Sequence, residues 1–137
     1  MDCIFCDIVS GKEKAEIIYQ DENVISFLDI RPINYGHALV IPKTHYENFH
    51  AVSPEDLNSV ISVTQKVADA VNKGLSTDGI NIIANNGVAS GQTIFHFHFH
   101  IIPRFKTDAF NYRPVLKSYG SGQMKEFADK IRIAVKK

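Results

Sequence analysis

Residues 96 to 102 read His-Phe-His-Phe-His-Ile-Ile. Imidazoles alternate with large apolar groups, and a period of two is the period of a β-strand. The apolar set extends through Phe95, Phe97, Phe99 and Ile101, which leaves His96, His98 and His100 on the opposite face. Neighbours two apart on a strand stand roughly 7 Å apart. A single histidine on a strand is usually a packing or surface residue. Three in register, backed by an apolar face, are hard to explain by packing, because imidazole is both base and nucleophile near neutral pH.

The chain has 137 residues, enough for one domain with its own core, and we take 1–137 as a single domain. Fifteen basic and fifteen acidic side chains cancel, so long nucleic acids are poor candidates as main partners. A small phosphate ligand needs no net charge, since backbone dipoles can hold it. The start, Met1-Asp2-Cys3-Ile4-Phe5-Cys6-Asp7, has neither the basic region nor the apolar core of a secretory signal. No stretch approaches the roughly 18 apolar residues of a membrane span. Two cysteines lie close together instead of being spread as a disulfide framework, which points to a reducing, cytoplasmic setting.

The pattern predicts a short helical or irregular lead-in over 2–9, then strands over 15–19 and 23–29. A turn-rich link at 31–36 leads to a third strand over 37–41, stopped by Pro42. Ser53-Pro54-Glu55-Asp56 is a helix start, with a Ser cap, Pro at the first position and acids in the first turn. Leu57, Val60, Ile61, Val67, Ala68 and Val71 carry the helical period to about Lys73, where Gly74 suits the stop. A fourth strand covers 79–84. The loop 85–92 is rich in residues that tolerate unusual backbone angles, and the histidine strand follows to about Pro103. A last helix over 121–135 places Met124, Phe127, Ile131 and Val135 on one side. Strands on both sides of one long helix predict an α+β domain with a mainly antiparallel sheet.

A nucleophilic histidine needs one bare ring nitrogen aimed at the electrophile and the other hydrogen-bonded to fix the tautomer. At a pKa of about 6.5, imidazole is available at pH 7 and makes a P–N bond that water can cleave. Just before the histidines, Gly91 permits close backbone approach, Gln92 offers amide donors and Thr93 a hydroxyl. Backbone N–H groups there suit charge developing on phosphoryl oxygens. Asp29 closes an apolar strand, where a carboxylate needs partners, and a diol is a good one.

His96-Phe97-His98-Phe99-His100-Ile101-Ile102 resembles the signature of the histidine triad (HIT) superfamily. Cys3-Ile4-Phe5-Cys6, Phe27-Leu28-Asp29-Ile30, Gly36 to Lys43, Asn85 and Gly91-Gln92-Thr93 fall where the Hint branch of nucleotide-binding phosphoramidases has its equivalents. The resemblance implies a HIT-like fold: a five-stranded antiparallel sheet, one long helix between strands three and four, and a C-terminal helix. It implies a purine nucleotide as substrate. His98 then resembles the nucleophile that attacks the α-phosphorus to give a nucleotidyl-histidine, which water releases as a nucleoside monophosphate. His100 and His37 resemble supporting imidazoles. Gln92 and Thr93, with Gly91, resemble the phosphoryl-positioning segment, and Asn85 a phosphate- or ribose-side contact. Asp29 resembles the ribose-binding carboxylate, and Ile4, Phe5, Ile8, Phe27 and Ile30 the apolar walls around the purine. That mechanism requires no catalytic metal.

Cys3-x-x-Cys6 has the spacing of a zinc half-site, and read alone it also fits a redox pair or two inert thiols. HIT proteins with such cysteines use two histidines to complete a zinc site, which here implies Cys3, Cys6, His45 and His96 as ligands of a structural zinc. A closed four-ligand site leaves no open position for catalysis. His50 is left as a surface residue. Other readings remain. Pro103-Arg104-Phe105-Lys106 brings two basic groups that suit a dinucleoside polyphosphate hydrolase, and a low-activity nucleotide-binding regulatory protein is a third class. A metal enzyme using His96, His98 and His100 is disfavoured, because on one straight strand they span roughly 14 Å. The resemblance also implies a homodimer with the long helix and fourth strand near the two-fold. Ile80, Ile82 and Ile83 fit either a buried strand or an interface, and 110–114 either a loop over the site or plain surface.

Overall fold

The computed structural model describes residues 2–110 and 113–135. Five strands form one antiparallel sheet: β1 (Ile17–Gln20), β2 (Val24–Leu28), β3 (Ala38–Pro42), β4 (Gly79–Ile83) and β5 (Phe99–Arg104), in the order β1-β2-β3-β5-β4. Helix α1 (Ile4–Ser10) precedes the sheet, α2 (Pro54–Leu75) links β3 to β4, and α3 (Gln123–Ala134) ends the described chain. The HIT-like architecture predicted from the sequence is therefore present.

Alternation along the strands decides which helix covers which face. Val24, Ala38, Val40 and Ile101 join Phe97 and the α2 residues Val60, Val63, Val67 and Val71 in one core. The opposite face carries Ile25, Phe27, Leu39 and Ile41, packed with Phe5 and Ile8 from α1 and with Cys3, which caps it. With both faces covered, β2 and β3 are buried almost throughout. His100 pairs with Leu39 across β3 and β5, so it shares the α1 face. The face that carries His100 is thus roofed by a seven-residue helix.

Several boundaries differ from the sequence reading, each for a local reason. The helix start is as predicted: Ser53 Oγ accepts the Asp56 N–H at 3.1 Å. The stop is not Gly74, which stays within α2. Ser76 takes the left-handed conformation instead (φ 51°), its N–H bonding to Asn72 O. β1 opens at Ile17, two residues late, and β3 keeps Pro42 as its last residue. The histidine strand begins only at Phe99, so His96 and His98 lie on irregular backbone. α3 is shorter than predicted and buries none of its residues: Met124 is 63% and Ile131 64% exposed. β4 is an edge strand, with Ile82 half-exposed. Of the 110–114 segment, Asn111 and Tyr112 lie outside the described residues. Among the described residues, no helix is long and apolar enough to cross a membrane.

Candidate active site and adjoining metal centre

On the α1 face of the sheet lies a cavity of about 450 Å³. Ile4, Phe5 and Ile8 of α1 form one wall, and Phe27, Leu28 and Leu39 of the sheet the other. Asp29 and Ile30 stand at the end of β2, and Asn85, Gly91, Gln92, Thr93, His98 and His100 close the polar end. Every predicted catalytic and nucleotide-binding residue except His37 lines this space. The walls are uneven: Phe5 and Phe27 are buried, whereas Ile4 is half-exposed and Ile30 almost fully exposed, so the slot is open on that side.

The loop before the histidines is braced from within. Gln92 is buried. Its Oε1 accepts the Gly87 N–H at 2.8 Å, and its amide donates to Glu47 O at 2.8 Å and Ile94 O at 3.2 Å. Its polar atoms are spent on the loop, so the side chain as placed holds the segment in shape; the free-donor role expected of it does not match these bonds. Gly91 has φ +105°, and a Cβ there would stand 3.8 Å from Asn85 Nδ2, so glycine is required by conformation more than by space. Thr93 is exposed.

The ring tautomers follow from the partners. His98 Nδ1 lies 2.7 Å from His96 O. A carbonyl only accepts, so Nδ1 carries the hydrogen, and in the neutral ring Nε2 keeps its lone pair on the cavity side. The Ile33 N–H donates to His37 Nδ1 at 3.1 Å, which leaves the hydrogen of neutral His37 on Nε2. That nitrogen is 2.9 Å from His100 Nδ1. His100 therefore presents an Nε2–H to the cavity it lines. The Asp29 carboxylate, 3.8 Å from His37 Nε2, accepts the Arg31 N–H at 2.9 Å. Burial is the main force lowering the pKa of all three rings; it pushes His100 down to about 4, helped by His98 and His37. In His98, the His96 carbonyl and Asp29 partly oppose this. All three rings are neutral at pH 7, one as a bare base and one as a donor.

His96 faces elsewhere. Its Nδ1 is 3.4 Å from Cys3 Sγ, 3.6 Å from Cys6 Sγ and 3.2 Å from His45 Nδ1, and Cys6 Sγ is 3.4 Å from His45 Nδ1. Around tetrahedral zinc, nitrogen ligands stand about 3.3 Å apart and sulfur–nitrogen pairs about 3.6 Å. The observed edges match. His96 Nε2 donates to Pro42 O at 2.8 Å, so Nδ1 turns a bare lone pair into the cluster, and that carbonyl is the outer partner expected of a metal-bound imidazole. Burial, with the neighbouring Cys3, pushes Cys6 up to about 11, so a bound cation must displace its proton. The donor set thus fits zinc: Cys3, Cys6, His45 and His96 would hold it, and it would supply structure through a closed shell. This separation also removes the metal enzyme built on three triad histidines. His96 is turned to the cysteines, while the His98 and His100 ring centres lie 4.8 Å apart. A second group, Asp29, His37 and His100, has metal-ligand proximity, with its two imidazoles already joined by a hydrogen bond.

The HIT domain family model matches residues 10–107. The chain belongs to the HIT family. An uncharacterized HIT-like protein of Methanocaldococcus jannaschii is 47% identical over 106 residues, covering 77% of this chain and 81% of that one. The adenylylsulfatase HINT3 of Arabidopsis thaliana is 38% identical over 107 residues, covering 78% of this chain and 54% of that protein. The crystal structure of a zinc-bound histidine triad family protein from Mycobacterium smegmatis superposes with a TM-score of 0.77 at 41% identity, covering 98% of this chain and 99% of that one.

Some functional neighbours in this HIT protein escaped the sequence reading. Leu39 and Ile94 add apolar wall, and Glu13, Lys14 and Arg31 reach the cavity rim. Leu39 was accessible through its alternation with Ile41; the rim residues sit in loops with no period to reveal them. Conversely, Arg104 is not free to meet phosphate. It makes a two-pronged ion pair with Asp108 (both arms 3.0 Å), donates to Asn81 Oδ1 at 2.8 Å, and its guanidinium lies over the Phe110 ring.

Proposed function

We propose that this HIT protein cleaves purine nucleotides at the α-phosphorus, with a phosphoramidate P–N bond as the preferred target. The observation that carries the reading is the fixed tautomer of His98, with Nδ1–H on the His96 carbonyl and a bare Nε2 toward a cavity with an apolar slot and a polar end. In the first step His98 Nε2 forms a bond to phosphorus while the bond to the leaving amine breaks. The neutral His100 Nε2–H hydrogen-bonds that nitrogen, with His37 backing it through the other ring nitrogen, and the leaving nitrogen takes its proton from solvent. The Asp29 carboxylate suits the ribose hydroxyls, Asn85, Gly91 and Thr93 the phosphoryl side, and Ile4, Phe5, Ile8, Phe27 and Ile30 the base. Water then attacks phosphorus and gives its proton to solvent, the P–N bond to His98 breaks to restore the neutral ring, and a nucleoside monophosphate leaves. Gln92 acts through the loop it braces.

Likeness to the Arabidopsis adenylylsulfatase adds adenylyl sulfate to the substrates worth assaying. The dinucleoside polyphosphate alternative loses one of its two basic groups to the Arg104–Asp108 pair and retains only Lys106. We read 1–137 as one domain, zinc as a structural cofactor at Cys3, Cys6, His45 and His96, and the assembly as a homodimer. The exposed apolar side of α3 and the free edge of β4 are surfaces that a second copy would cover. The test is a substrate panel of adenosine phosphoramidate, adenylyl sulfate and diadenosine tetraphosphate on wild type and His98→Ala. Turnover of the phosphoramidate, lost in His98→Ala while adenosine monophosphate still binds, is expected. Full activity in His98→Ala rejects the reading.

A further inference from the structure

We propose that the Cys3–Cys6–His45–His96 cluster, when filled by zinc, is the positioning device for the nucleotide site, beyond its role as a staple for the fold. The inference rests on the reading of His98 as nucleophile and extends it to what holds that ring in place.

His98 lies outside the β5 ladder, which begins at Phe99. Its backbone surroundings are set by two bonds instead. Its own Nδ1–H donates to the main-chain carbonyl of His96 at 2.7 Å, and the Phe97 N–H donates to Tyr46 O at 2.7 Å. The first acceptor belongs to a proposed zinc ligand, and the second to the residue that follows another, His45. His96 is in turn fixed by its ring, between the cluster on Nδ1 and Pro42 O on Nε2. A second route leads through α1. Phe5 stands between Cys3 and Cys6 in sequence, and its ring meets His98 edge-on at 5.1 Å and Phe27 at 5.4 Å. The Cys3 sulfur also accepts the Cys6 N–H at 3.3 Å and so caps this seven-residue helix, which is too short to persist unaided. Both routes start from four ligand atoms lying within 4.8 Å of one another and end on the same imidazole and the same apolar wall. Without a cation, the bare His96 nitrogen faces a second imidazole nitrogen and only the weak thiol donors of Cys3 and Cys6, which hold the four groups together far less firmly than a shared ion would.

The test compares zinc-loaded wild type, wild type stripped by chelator under reducing conditions, and the variants Cys6→Ser and His45→Ala, all well below their melting temperatures. Adenosine monophosphate affinity is read by calorimetry, the His98 ring by nitrogen-15 NMR, and kcat and KM on adenosine phosphoramidate. Loss of zinc should weaken adenosine monophosphate binding and lower kcat by about tenfold or more each, and move the His98 ring resonances, as for outer partners of catalytic groups. Should His45→Ala fail to fold, His45→Cys, which keeps a tetrahedral zinc set, must restore both fold and nucleotide binding. The proposal is overturned by a protein that takes up no zinc, or by stripped protein with a lower Tm but unchanged nucleotide affinity, kcat and His98 resonances. It is also overturned by a His45→Cys protein that regains the fold without nucleotide binding. Because monophosphate binding needs no turnover, zinc-dependent affinity in an inactive wild type would reject the reaction and keep the coupling.

Discussion

Acid should destabilise this protein through His100 with a slope set by its burial. The unfolded ring titrates at 6.5 and the folded one at about 4. Between those values the unfolded chain takes up a proton that the native site refuses. Stability from the neutral ring is therefore complete above pH 6.5 and drains away as the pH falls, levelling off below about 4. The difference between 6.5 and about 4 corresponds to about 3 kcal/mol, a ceiling because His100 is only partly buried and interacts with His37 and His98. The decisive comparison is wild type against His100→Phe, which keeps a ring and removes the titration. Urea unfolding of both at steps from pH 7.5 to 4 cancels the carboxylates and the Cys3–Cys6–His45–His96 cluster, which the two share. The difference in unfolding free energy should shift against wild type by about 2–3 kcal/mol across that range. Parallel curves would refute a native His100 ring held neutral by burial beside His37 and His98.

Phe97 is 1% exposed in the core between sheet and α2, so Phe97→Ala should cost about 3–5 kcal/mol in urea unfolding. Gly91→Ala forces a side chain into φ +105°; about 1–3 kcal/mol of strain is expected, with lower kcat and a near-native Tm if the loop yields locally. Asp29→Asn should reduce discrimination between adenosine monophosphate and its 2′,3′-dideoxy analogue by about tenfold, measured by competition, with little change for the analogue itself. Arg104→Lys should lower Tm by loosening the Asp108 pair and leave the ratio of phosphoramidate to diadenosine tetraphosphate turnover unchanged.

Much of the site was legible because alternation is a geometric statement. The parity of His96, His98 and His100 against Phe97 and Ile101 assigned each side chain to its face, even though the ladder starts only at Phe99. Ser53-Pro54-Glu55-Asp56 was equally local, since a cap needs nothing beyond its own turn. What stayed hidden was non-local. Gln92 could be seen as a donor, but not that Gly87, Glu47 and Ile94 would consume its polar atoms. Arg104 carried charge in the sequence, and only tertiary structure paired it with Asp108. Gly74 was the better residue for a left-handed cap, yet the helix runs past it to Ser76, whose N–H finds Asn72 O. The apolar stripe on α3 marks a face of the helix and not what covers it, and none of its residues is buried.

In the proposed reaction one imidazole, that of His98, bonds to phosphorus. Acid- or denaturant-sensitive adducts should be trapped by rapid mixing with adenosine phosphoramidate, base quenching and peptide mass spectrometry. A transient adenylyl mass is expected on the peptide carrying His98, at its Nε2, and none in His98→Ala. An adenylyl group on any other residue, or full turnover with no adduct at single-turnover times, would contradict it.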